Sequence, residues 1–83
     1  MNFIGEVIEI EDLKVSTSGF KSRKIVVKNN EQYGQTIPIE FVQDKTDLID
    51  RLSIGQNVNV SINLKGNIYN EKRFVTVQGW KIE

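Results

Sequence analysis

Two stretches of the chain gather positive charge around aromatic rings. The first, "FKSRKIVVK", holds Phe20, Lys21, Arg23, Lys24 and Lys28; the second, "KGNIYNEKRF", holds Lys65, Tyr69, Lys72, Arg73 and Phe74. Ammonium and guanidinium groups pair with phosphates. An exposed ring offers a face on which an unpaired base stacks, worth about 1–3 kcal/mol. Rings left among charges at a Gly/Asn-rich turn suit that chemistry. The plain alternative is that Tyr69 and Phe74 pack across a hairpin and pin it.

Other chemistries are excluded by residues the chain lacks. There is no cysteine and no histidine, which removes disulfides, thiolate metal sites and the commonest general base. No Gly-x-x-x-x-Gly-Lys occurs, so there is no phosphate loop of that type. Asp44, Asp47 and Asp50 are explained by a helix N-terminus and solvent rather than by a metal. Neither an enzyme nor a cofactor is expected.

Eleven cations balance eleven anions, so the chain is not broadly basic and the placement of charge carries the argument. Glu6, Glu9, Glu11 and Asp12 crowd the start, away from both basic clusters. Eighty-three residues make a single domain, 1–83. No apolar run approaches a membrane span, and the start turns acidic where a signal peptide would be apolar. The expectation is a cytoplasmic protein with no membrane partner.

The elements that must position these clusters are short strands. "FIGEVIEIE" (3–11) reads as the first, with Gly5 a bulge or bend. "VSTSGF" supplies a turn, with Gly19 free to take positive φ. In the second, "SRKIVVKN" (22–29), Ile25 and Val27 point inward while Lys24, Val26 and Lys28 point outward. "NEQYGQ" closes a hairpin to the third, "TIPIEFV", where Ile37, Ile39 and Phe41 share a face and Pro38 marks an edge or bulge. "DKTDLIDRLSIG" changes period: Leu48, Ile49 and Leu52 make a helical apolar face, with Asp44 as N-cap and Gly55 as exit. In the fourth strand Val58, Val60, Ile62 and Leu64 alternate with polar residues. In the fifth, "KRFVTVQGWKI", Val75 and Val77 point inward and Gly79 resets the register so that Trp80 and Ile82 pack.

Five strands with a helix between the third and fourth is the order of an all-β OB-fold, a five-stranded Greek-key barrel. Its nucleic-acid face is built from strands two and three and the loops joining strands 1–2 and 4–5. Both basic clusters fall on those elements.

The stretches "SGFKSRK", "DKTDLIDRLSIGQNVNVSINLKG" and "YNEKRFVTVQGWKIE" also carry a resemblance. The chain resembles small bacterial and phage OB-fold proteins of the single-stranded-DNA-binding type. Within them it is most similar to a compact family known as a domain of unknown function. The resemblance implies a DNA-replication setting, single-stranded DNA as partner and replication or repair proteins as further ones. The longer binders continue into a tail with an acidic tip; this sequence ends at Trp80-Lys81-Ile82-Glu83, so recruitment through such a tail is not expected of it.

Residue by residue, Tyr69 and Phe74 are stacking candidates, and Phe20 either stacks or caps the barrel mouth. Lys24 and Lys28 suit phosphates or simply solvent. Adjacent on a strand, Lys72 and Arg73 must point oppositely. Tyr33 is a weaker stacking candidate, and Trp80 is expected in the core. The function expected is single-stranded DNA binding with little sequence preference. A protein–protein interaction module in a replication or repair assembly remains the alternative, as does single-stranded RNA, because nothing reports on a 2′-hydroxyl. A chain this small, without disulfide or metal, is also expected to form a homo-oligomer, with the first strand as the seam.

Overall fold

The apolar alternation closes into a barrel in the computed structural model, which describes residues 1–29 and 34–83. Its strands are β1 (Asn2–Ile10), β2 (Lys14–Val15), β3 (Lys21–Lys28), β4 (Thr36–Val42), β5 (Asn57–Tyr69) and β6 (Lys72–Ile82). A 3-10 helix, Gln43–Arg51, joins β4 to β5. The sheet runs β1-β5-β6-β4-β3-β2, and β1 pairs again with β3, which closes the ring. The five long strands and the helix have the OB-fold order expected. The two-residue β2, antiparallel to the start of β3, is an addition.

Inward positions of the strands make the core. Val7, Ile25, Val27, Ile39, Phe41, Val58, Val60 and Ile62 are buried, and Ile49 of the helix joins the same cluster. Ile37, Leu48, Leu52, Val77 and Ile82 pack against it. The outward neighbours Lys24 and Lys28 are exposed, as the period of two requires.

β1 serves both sides of the closure. Asn2–Glu6 pair with β5 and Glu6–Ile10 with β3, with an irregularity between Val7 and Glu9. The bulge therefore falls at Ile8 rather than at the expected Gly5. Gly5 instead permits a close crossing, because a Cβ there would collide with the Lys28 carbonyl oxygen. Only glycine lets β1 pass that close to the end of β3. Each half of β1 is thus paired on one side, and the edge left open to a second copy is half-length.

β6 departs from expectation in the same manner. Ser61 pairs with Lys81 but Ile62 pairs with Gly79, so Trp80 is the extra residue of a bulge. A bulged residue has no ladder partner, and Trp80 is 45% exposed rather than in the core. Gly79 takes the inward position instead, because the ring of Phe41 fills the space: a Cβ on Gly79 would collide with its Cζ. Val75, expected inward, is 70% exposed, since it lies beyond the last residue that the barrel covers.

The helix starts directly off β4 through Gln43, at φ 52. Its N-cap is Val42, with no side-chain cap bond, so Asp44 does not cap it. Thr46 Oγ donates to the Gln43 carbonyl at 2.8 Å instead. Gly19 and Gly55 take the positive φ their turns need, 86 and 92.

Candidate nucleic-acid interface

The stretch read as a loop between the last two strands is a β-arm. The β5–β6 ladder continues past the barrel through Lys65↔Thr76, Gly66↔Val75, Asn67↔Phe74, Ile68↔Arg73 and Tyr69↔Lys72. It ends in a two-residue turn, Asn70-Glu71, with φ 49 and 65. Positive φ at both central residues is the turn whose twist matches paired strands, so the ladder is not splayed.

Facing residues of a ladder share a side. Tyr69, Lys72, Asn67, Phe74, Lys65 and Thr76 therefore occupy one face of the arm. Tyr69 and Phe74 are diagonal neighbours there, with Lys72 and Lys65 beside them. Tyr69 is 69% and Phe74 49% exposed. The opposite face carries Ile68, Arg73, Val75 and Leu64. Lys72 and Arg73 point apart as their adjacency requires.

The outer face of β3–β4 presents Lys24 across from Glu40, Val26 across from Pro38, and Lys28 across from Thr36. β4 touches β6 through one parallel pair, Glu40↔Gln78. Beyond it the strands part and leave a cleft of about 250 Å³ lined by Lys24, Pro38, Glu40, Val75, Thr76 and Val77. Lys24 of the first basic cluster and the base of the arm that carries the second thus border one cleft.

The remaining candidates are placed differently. Arg23 is tied into the fold: its Nε donates to the Glu11 carbonyl at 2.8 Å and its Nη1 meets Asp50 Oδ1 at 3.0 Å. Lys28 sits at the far end of β3, paired with Glu6 as well as Thr36. Phe20 is half-exposed in the turn closed by Ser16, whose Oγ accepts from the Phe20 amide. The Lys21 amide donates to Gln43 Oε1 at 3.4 Å, at the opposite end of β3 from Lys28. Tyr33 lies outside the described residues. Sequence reasoning passed over Glu40, although its alternation with Ile39 and Phe41 already puts it on the outer face.

Among the described residues no cluster of three or more acidic, His or Cys residues could hold a metal, and no helix is long and apolar enough to cross a membrane. Away from this face, the exposed pair Lys81–Glu83, at 2.8 Å, raises the pKa of the lysine and lowers that of the carboxyl through their hydrogen bond and charge.

The sequence matches the family described as a domain of unknown function, DUF3127, over residues 2–83. The chain is a member of the DUF3127 family. No curated protein matches this DUF3127 domain in sequence. Solved structures do match in shape. The SSB domain of a Synechococcus protein superposes with a TM-score of 0.77 at 14% identity, covering 99% of this chain and 90% of that one. The S. cerevisiae mitochondrial single-stranded DNA binding protein Rim1 gives 0.82 at 12%, covering 100% and 90%. The small single-stranded DNA-binding protein of Streptomyces coelicolor gives 0.60 at 11%, covering 100% and 90%. At these identities the likeness establishes the fold that the DUF3127 domain shares with them.

Proposed function

We propose that this DUF3127 domain binds single-stranded DNA, with the outer face of β3–β4 and the β5–β6 arm as its platform. The observation that carries the reading is the cleft that joins Lys24 to the arm, on which Tyr69 and Phe74 stand exposed between Lys65 and Lys72. Cations track phosphates and rings stack on bases; neither interaction reads sequence, so preference is low. The fold is shared with proteins described as single-stranded DNA binders, which supports the same class of ligand here. Lys24, Lys28, Lys65 and Lys72 are the phosphate contacts, with Phe20, Lys21 and Arg73 at the margins. Arg23, held by Glu11 and Asp50, contributes mainly by holding β3 in place. The domain binds and does not catalyse.

Replacing Lys24 and Lys28 by alanine tests the electrostatic part. Affinity for every single strand falls alike, and the slope of log K against log salt flattens by about 0.7 per lost contact. An unchanged slope in a correctly folded variant would remove β3 from the interface.

We also propose self-association through a face rather than an edge. Ile4 is 62% exposed on the outer side of β1, and it pairs with Asn59, whose buried Oδ1 finds no hydrogen-bond partner among the described residues. A second copy would cover Ile4 and the side of β1 that carries it. Sedimentation at micromolar concentrations should show an oligomer that Ile4→Glu dissociates; a monomeric parent protein contradicts the proposal.

An interaction module for replication or repair proteins is the second reading. Leu64, Ile68 and Val75, 57%, 67% and 70% exposed on the other face of the arm, favour it.

A further inference from the structure

Glu40 does not belong on a surface that only tracks phosphates. It is a half-buried carboxylate on the outer side of β4, directly across from Lys24 in the ladder. The ion pairs among the described residues are Lys14–Glu11, Arg23–Asp50 and Lys81–Glu83, so Glu40 is not neutralised by Lys24. It stands in the cleft beside Pro38, Val75 and Val77. A phosphate would be repelled there. A flat heterocycle would not: the apolar walls accept its faces, and the carboxylate accepts hydrogen bonds from its edge. The cleft, about 250 Å³, falls below the ~300–1,000 Å³ of pockets for drug-sized molecules, which suits a single base.

The donor pattern then selects the base. An unpaired base exposes its Watson–Crick edge. Guanine presents N1–H and an N2 amine side by side, matching the two oxygens of one carboxylate. Cytosine and adenine offer one amine each. Thymine offers a single N–H between two carbonyl oxygens, whose lone pairs oppose a carboxylate. We infer that the cleft between β4 and the base of the arm is a guanine-preferring subsite, with Glu40 accepting from N1 and N2. The inference rests on the single-stranded DNA reading above and adds to it one position that does read sequence.

The test uses short thymidine oligomers in which isolated guanines replace every third base, too sparse to form guanine quartets. Companions carry thymine only, or inosine, which lacks the N2 amine. The parent protein should bind the guanine strand about 5- to 150-fold more tightly than the thymine strand, with inosine between. Glu40→Gln should abolish most of that advantage while thymine-strand affinity holds or rises, because a negative charge leaves the phosphate path. A circular-dichroism melt of the variant matching the parent confirms that the change is local. Equal binding of guanine and thymine strands overturns the subsite and leaves the single-strand reading intact. An advantage that survives Glu40→Gln overturns the role of Glu40. Binding of no strand at low salt overturns both.

Discussion

Replacing Tyr69 and Phe74 together by alanine is expected to weaken single-strand binding by about 1–3 kcal/mol for each base that stacks. Two stacked bases would amount to a loss of roughly 30-fold or more. The register Tyr69↔Lys72 and Asn67↔Phe74 puts both rings on one side of the arm, so one strand can meet both. The substitutions remove ring faces and no charge, hence the salt dependence of binding should stay nearly unchanged. That separates them from the Lys24 and Lys28 pair. The rings are also diagonal neighbours in a ladder, and losing such a contact costs the hairpin roughly 0.2–1 kcal/mol. A melt is therefore measured beside each titration. Parental affinity in a folded double variant would reduce the arm to an electrostatic surface, or leave it to the protein-interaction reading.

The second large effect is in the core behind the cleft. Phe41→Ala should destabilise the domain by about 3–5 kcal/mol. A domain of 83 residues has only about 4–12 kcal/mol at its disposal on a per-residue basis. Phe41 occupies the space a side chain at residue 79 would need, so Gly79→Ala overpacks and should cost about 1–3 kcal/mol. In a Phe41→Leu background the ring atoms are gone and the added methyl should be nearly free. Residues in contact couple by about 0.5–3 kcal/mol in such cycles, which urea denaturation resolves. Equal cost of Gly79→Ala in both backgrounds would contradict the packing. The neighbours of these two residues, Glu40 and Gln78, make the one pair between β4 and β6, so this packing also sets the width of the cleft.

Much of the barrel was legible because a period of two has few readings. Ile25 and Val27, Ile39 and Phe41, and Val58, Val60 and Ile62 all fall inward where alternation puts them. Alternation does not say where the barrel ends. Leu64 and Val75 continue the inward phase, yet both are exposed, because the β5–β6 ladder outruns its neighbours. Nor does it reveal a bulge: residue type alone sends Trp80 inward, and one extra residue opposite Ser61 and Ile62 turns it out. "KGN" suggests a loop through Gly66, whereas the turn lies at Asn70-Glu71. The outward sides of Lys24 and Lys28 were legible. Their distance from the arm was not, since it depends on how far β4 and β6 part beyond Glu40.

Binding of unpaired DNA by this face stands or falls on a competition measurement. A labelled single-stranded oligonucleotide of mixed sequence is bound at low salt, then challenged with unlabelled single strand or duplex of the same sequence. Stacking and base-edge contacts need unpaired bases, so the single strand should displace the label at far lower concentration than the duplex, and moderate salt should weaken but not erase the difference. Equal displacement by duplex, or no binding of the labelled strand at low salt, would contradict it.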